Sequence, residues 1–252
     1  MDLGLSDRVY VVTGGSRGLG RASAEALVAD GARVVVAGRT ADSLEATVAE
    51  LGAAQATGVV ADLADPATPQ RLVDAALTAY GRLDGGLISV GGPPAGSVLD
   101  TADEAWTRAF DSVFLGAVRM ARTLVGALDE GGSVALVLST STKAPITNLA
   151  ISNGLRPGLG MVVKTLADDV GPLGIRVNAL LPGRLDTERV QELDAAGGDA
   201  EAARRGHEQT IPLRRYGRPE EFGRVAAFLL SPASSFVSGT MVPVDGGLHR
   251  AL

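Results

Sequence analysis

The chain has 252 residues, 46% of them hydrophobic, which is enough for a sizeable core in one α/β domain or two small ones. A net charge of −6 argues against nucleic acid or an anionic membrane as partner, and the absence of cysteine excludes disulfides and thiolate metal sites and fits a reducing compartment. The acidic start of the chain, and the Gly and Pro that break uncharged stretches such as Gly85 to Leu99, leave no signal-peptide core and no membrane span, so a soluble cytoplasmic protein is expected.

The first element is a β-branched and aromatic strand, Val9 to Val12. It enters the turn Thr13-Gly14-Gly15-Ser16-Arg17-Gly18-Leu19-Gly20 and leaves as a helix from about Leu19 to Ala29. Side-chain-free Gly14, Gly18 and Gly20 let the backbone turn sharply and approach a ligand closely. A helix N-terminus aimed at that ligand suits a pyrophosphate. The continuous apolar run Arg33 to Ala37 reads as a strand covered on both faces, and Gly38-Arg39-Thr40 follows at its carboxyl end. In dinucleotide folds this spot reads the adenosine ribose, through a carboxylate for a 2′-hydroxyl or an arginine for a 2′-phosphate. Gly38 removes the carboxylate and Arg39 supplies the cation, joined by Arg17, so NADP(H) is preferred and NAD(H) remains possible.

The alternation continues. A helix is expected over Asp42 to Leu51, a strand over Thr57 to Ala61, then Asp62-Leu63, where an adenine ring would rest, and a helix over Pro66 to Tyr80 with Pro66 in its first turn. Leu83 to Val90 is a strand weakened by Gly85-Gly86, and one long helix spans Asp103 to Leu128. Ser133 to Leu138 is the fifth strand, followed by Ser139-Thr140-Ser141-Thr142-Lys143 and a helix from about Asn148 to Val170, broken or begun near Arg156-Pro157-Gly158. Gly174 to Leu180 is the sixth strand. Glu188 to Gln209 lacks a clean apolar face and reads as a mobile lid. Pro219 to Leu230 is a helix, and Thr240 to Val244 the last strand. Together these predict one doubly wound α/β domain over residues 1–252, a parallel sheet of about seven strands with ligands across the strands' carboxyl ends.

With those residues in view, the chain resembles the short-chain dehydrogenase/reductase family over essentially its whole length. The glycine turn, Asp62-Leu63, Arg82-Leu83-Asp84, Lys164 to Ala167, Gly174 to Asn178, Pro182-Gly183 with Thr187, Ser238 to Thr240 and Val244 to Gly247 carry the likeness. The resemblance implies a Rossmann-type fold, a nicotinamide cofactor, a small carbonyl or alcohol substrate, and dimers or tetramers built on the long helices and last strand. It places Gly14, Ser16, Arg17, Gly18, Leu19, Gly20, Arg39, Asp62, Leu63, Ser89, Gly91, Arg156, Pro182, Gly183 and Thr187 against the cofactor.

The chain departs from the family at the catalytic positions. Ile88-Ser89-Val90-Gly91 stands where the family has Asn-Asn-Ala-Gly, and Val113 where it has a catalytic Asn. Anchored on Lys164 to Ala167, the family's Tyr and Lys fall on Ser152 and Arg156. No tyrosine lies between Tyr80 and Tyr216, so no small gap restores the pair. The catalytic serine survives as Ser139, with Thr140 or Ser141 in a shifted register. A serine hydroxyl is far too weak an acid to replace the tyrosine, and arginine does not release its proton in the working range. Lys143, beside Ser139 to Thr142, is the candidate replacement if partly desolvated, and Arg184 could hold a substrate carboxylate or phosphate. Tyr216 reads as loop packing. His207 and His249, the only histidines, make no metal site. Two readings follow: an NADP(H)-preferring oxidoreductase with a non-standard proton relay, or a catalytically inactive NADP(H)-binding sensor or scaffold subunit.

Overall fold

A computed structural model describes residues 2–196 and 198–250. Residue 197, inside the expected lid, and residues 1, 251 and 252 lie outside the described residues. The strands are β1 (Val9–Val12), β2 (Arg33–Gly38), β3 (Ala56–Val60), β4 (Gly85–Ser89), β5 (Ser133–Val137), β6 (Arg176–Pro182) and β7 (Met241–Val244). They form one seven-stranded sheet in the order β3-β2-β1-β4-β5-β6-β7, with every pairing parallel. Helices α1 (Gly18–Ala29), α2 (Ala41–Leu51) and α9 (Pro219–Leu230) cover one face; α3 (Thr68–Tyr80), α4 (Asp103–Ala109), α5 (Gly116–Gly126) and α6 (Ala150–Val170) cover the other. Each face has its own apolar core, and β1 contributes alternately to the two, Val9 and Val11 to one and Tyr10 and Val12 to the other. This two-sided burial is why the strands read as continuous apolar runs. The expected doubly wound Rossmann-type sheet is the observed one.

Several boundaries differ from expectation for identifiable reasons. Helix α3 begins at Thr68, so Pro69 rather than Pro66 occupies its first turn, and the Thr68 hydroxyl donates to the Asp62 carbonyl at 2.7 Å. Gly85 and Gly86 do not weaken β4. A Cβ on Gly85 would run into the Ser133 carbonyl, and one on Gly86 would lie 2.7 Å from Leu124, so the glycines let neighbouring elements close in. The long helix expected from Asp103 is interrupted by a π-helical segment, Phe110–Leu115, just before Gly116, which packs against the Leu63 carbonyl. Helix α6 is unbroken through Pro157. The segment expected as a mobile lid contains two short helices, α7 (Glu188–Ala195) and α8 (Ala200–Thr210), each with a side-chain N-cap, Thr187 and Asp199. No helix among the described residues is long and apolar enough to cross a membrane.

Candidate active site

The carboxyl ends of β1 and β4 are tied by Thr13, whose hydroxyl donates to the Ser89 carbonyl and accepts from the Ser89 N–H, both at 2.9 Å. The glycine turn grows from this tie. Gly14 and Gly18 have φ of 58° and 54°, and a Cβ on Gly14 would lie 2.7 Å from the Ser89 carbonyl oxygen. A Cβ on Gly20 would collide with the Gly14 carbonyl, so α1 sits tight behind the turn. Arg17 is the N-cap of α1 and makes no capping side-chain bond, so the first N–H groups of the helix face the turn's mouth. This cradle fits a pyrophosphate.

Two neighbouring features bear on the ribose. A Cβ on Gly38 would lie 2.8 Å from the Ser16 hydroxyl, so Ser16 fills the space from which an acidic side chain would start. Arg39 is exposed and makes no side-chain hydrogen bond or ion pair among the described residues, while exposed Arg17 faces Glu188 at 3.7 Å. Beyond β3, the Asp62 carboxylate accepts from Ala64 N–H at 2.9 Å, which holds the Asp62-Leu63 turn in place. Ser89 is half-buried and Gly91 exposed at the end of β4.

Around the end of β5 the structure brings Ser139, Ser152 and Arg156 together. Ser139 caps the short turn Thr140–Thr142 by accepting from Ser141 N–H at 3.1 Å. The Ser141 and Ser152 hydroxyls, both buried, are hydrogen-bonded at 3.0 Å. Arg156 lies one turn after Ser152 on the same face of α6. It is buried, donates Nη1 to the Val137 carbonyl at 2.6 Å, faces no carboxylate and leaves its Nε without a partner. Burial lowers its pKa to about 10, so the guanidinium is still a cation at neutral pH. The Thr142 hydroxyl is a second buried polar atom without a partner in this corner.

Two sequence expectations are corrected here. Lys143 is exposed at the end of the Thr140–Thr142 turn, so the partial desolvation invoked for it is absent; the turn carries it outward past buried Ser141. Arg184 is not free for a substrate anion. Its Nη1 donates to Asp194 Oδ1 and its Nη2 to His207 Nε2, each at 2.8 Å. Tyr216 does pack a loop: it is buried, its hydroxyl donates to Asp194 Oδ2 at 2.9 Å, and burial together with that carboxylate pushes its pKa up to about 12. Sequence reasoning missed Asp194, because a carboxylate on a charge-rich helix reads as solvated, yet it is the only buried residue of α7. It also missed Arg189, which donates to the Pro93 carbonyl at 2.9 Å and lies over Gly92.

After β6, Pro182 and Gly183 lead to Thr187. A Cβ on Gly183 would lie 2.6 Å from that of Asp245, so glycine alone fits between β6 and the turn after β7. The Thr187 methyl faces Gly18, which places the start of α7 at the glycine turn. Among the described residues no group of His, Asp and Glu is arranged to hold a metal ion.

A family model described as Enoyl-(Acyl carrier protein) reductase matches residues 14–249. An uncharacterized oxidoreductase of Mycobacterium tuberculosis is 37% identical over 249 residues, covering 97% of this chain and 93% of that protein. The chain belongs to the short-chain dehydrogenase/reductase family and is an oxidoreductase with its nicotinamide-nucleotide-binding fold. The crystal structure of L-sorbose reductase from Gluconobacter frateurii, complexed with NADPH and L-sorbose, superposes with a TM-score of 0.94 at 29% identity over 100% of both chains. The apo structure of a short-chain oxidoreductase from Pseudomonas aeruginosa, described as containing an atypical catalytic center, superposes at 0.91 with 27% identity, covering 99% of this chain and 100% of that one.

Proposed function

We propose that this chain is an NADP(H)-preferring reductase or dehydrogenase of a small carbonyl or alcohol substrate, in which Ser152 and Arg156 stand in place of the family's Tyr and Lys. The observation that carries the reading is the buried corner at the end of β5, where Ser139, the Ser141–Ser152 hydroxyl pair and the unpaired cation of Arg156 converge. The cofactor, when bound, supplies or accepts the hydride. Gly14, Ser16, Arg17, Gly18, Leu19, Gly20 and the α1 N-terminus would hold its pyrophosphate. Arg39 and Arg17 would meet the 2′-phosphate, with Asp62 and Leu63 at the adenine. Ser89, Gly91, Arg156, Pro182, Gly183 and Thr187 would border the nicotinamide half.

Ser139 would polarise the substrate oxygen by donating its hydroxyl hydrogen. Arg156 holds its proton and contributes charge, not acid. The proton would come from water at the exposed mouth or from Lys143. On the same reading residues 1–252 form one domain with 188–209 as its lid, and the chain assembles as a homodimer or homotetramer. A likeness to a protein with an atypical catalytic center supports an active site without the usual pair.

Calorimetric titration with NADPH and with NADH, followed by a panel of ketones and sugars monitored for NADPH oxidation, tests the reading. Tighter NADPH binding with turnover is the expected result. Tight binding with no turnover on any carbonyl would replace the proposed redox role by a sensor or scaffold. Binding of neither nucleotide would remove both.

A further inference from the structure

Helices α7 and α8 are held by charge and not by apolar burial. The only buried residue of α7 is Asp194, at 5% exposure, and α8 buries none, whereas α9, of similar length to α8, buries Phe222, Leu229 and Leu230 among others. Asp194 accepts from Arg184 on one oxygen and from Tyr216 on the other. The Tyr216 ring carries the Arg204 guanidinium on its face at 4.6 Å. Arg204 in turn binds Asp186 at 3.0 Å and Glu208 at 3.1 Å. At the outer edge Arg189 reaches Pro93 and Glu188 reaches Arg17, so α7 bridges the glycine turn and the loop after β4.

We propose that Asp194 is the positioning residue of a polar lock that holds α7 and α8 over the nucleotide mouth, and that the lock closes only while His207 is neutral. The proposal rests on the cofactor reading above at one point, the assignment of Gly183 and Thr187 to the cofactor. The lock's pivot, Arg184, follows Gly183 directly, and Thr187 caps α7, so releasing the helices displaces that segment.

The requirement on His207 follows from donor and acceptor chemistry. A guanidinium donates and never accepts. The 2.8 Å bond from Arg184 Nη2 therefore needs a lone pair on His207 Nε2, which puts the imidazole's single proton on Nδ1. Protonating Nε2 removes that acceptor and sets a second cation against Arg184. The charged groups that face the imidazole are Arg184 from the loop after β6 and Asp194 Oδ1 at 3.9 Å from α7; beyond them Tyr216 shares Asp194, and Arg204 on the histidine's own helix is bound to Asp186 and Glu208. Asp194 offsets part of the repulsion but is already shared between Arg184 and Tyr216. Desolvation and Arg184 lower the imidazole pKa, so the lock holds at neutral pH and loses stability as pH falls below the ordinary histidine value toward the lowered one.

The test uses the full chain and three proteins: wild type, Asp194→Asn and His207→Gln. Hydrogen exchange over residues 188–210 without cofactor and NADPH titration are each run at pH 7.5 and at about pH 5.5, a unit below the ordinary histidine value. Asparagine is isosteric and keeps an oxygen for Arg184, with its N–H₂ donating to the Tyr216 hydroxyl oxygen, so what it removes is the carboxylate charge that strengthens the bond to Arg184. Exchange in α7 and α8 is expected to speed up about tenfold, the equivalent of one lost charge-assisted hydrogen bond, with the sheet amides unchanged. NADPH affinity should fall by a similar factor while turnover at saturation is retained. Glutamine offers Arg184 a non-titrating acceptor, so His207→Gln should stay protected at the lower pH where wild type opens. Wild-type exchange rates in Asp194→Asn would overturn the lock. Equal acid loosening of wild type and His207→Gln would overturn the role of His207. Failure of wild type to bind NADPH would remove the cofactor reading, and the exchange data would still decide the lock.

Discussion

Replacing Arg39 by alanine is expected to weaken NADPH binding about tenfold and to leave NADH binding unchanged. The magnitude follows from where Arg39 stands. It leaves the carboxyl end of β2 directly after Gly38, is exposed, and has no side-chain partner among the described residues. A charge-assisted hydrogen bond is worth about 1.5–3 kcal/mol when well shielded, and solvent and salt screening at an exposed site bring it to the lower end, near one factor of ten in Kd. Arg17 is expected to contribute less, because Glu188 at 3.7 Å competes for it. If both arginines meet one phosphate, the double variant loses less than the sum of the two. The opposite change, Gly38→Asp, puts a Cβ 2.8 Å from the Ser16 hydroxyl and 3.2 Å from its Cβ. It should therefore gain NADH affinity only when combined with Ser16→Ala. Calorimetry with both nucleotides at low and high salt reads all of this, and the Arg39 effect should shrink as salt rises. An equal loss for NADPH and NADH, or no loss for either, would refute the assignment of Arg39 to a 2′-phosphate.

Lys143→Ala should reduce turnover with NADPH affinity unchanged in titration; unchanged turnover would leave water as the proton source. Phe222→Ala, at a fully buried ring on α9, should destabilise by about 3–5 kcal/mol, read as a lower urea midpoint. Glu221 accepts from Arg215 at 2.7 Å on each oxygen and from Arg218 N–H at 2.7 Å, and these bonds, Arg215 first, pull its pKa down to about 2. A depressed carboxylate contributes stability above its ordinary range and loses it as pH falls through the depressed value. Thermal melts of Glu221→Gln should therefore match the shape of wild type at neutral pH and fall less steeply between pH 4.5 and about 2; parallel acid limbs would contradict the ion pair.

The parts legible in the sequence are those that local rules determine. A run such as Val34-Val35-Val36 is buried from both sides, and the turn after β1 needs glycine at two positive-φ positions, so both leave local signatures. The parts that were not legible depend on distant partners. The π segment Phe110–Leu115 sits just before Gly116, which meets the Leu63 carbonyl from another βα unit, and no local pattern in residues 103–128 names that distant partner. Gly85 and Gly86 look like strand breakers until Ser133, Tyr10 and Leu124 close on them. Helices α7 and α8 start at the caps Thr187 and Asp199, but their attachment runs through Arg184, Tyr216 and Pro93, and no periodicity of their own reveals it, so the segment read as a lid.

The same division bears on how protons would move in the proposed site. The Ser141 and Ser152 hydroxyls share one hydrogen bond at 3.0 Å, and the Ser141 hydroxyl also reaches the Ser152 carbonyl at 3.5 Å, so when Ser152 donates to Ser141 both hydrogens are committed within the pair. Such a pair does not originate a proton, since neither hydroxyl ionises in the working range. Arg156 remains charged up to about pH 10 and holds Val137 with one nitrogen, so it steadies negative charge without yielding a proton. With Tyr216 occupied by Asp194, the proton for the substrate is left to the two proposed sources, water at the exposed mouth and Lys143 at the surface, which Lys143→Ala separates.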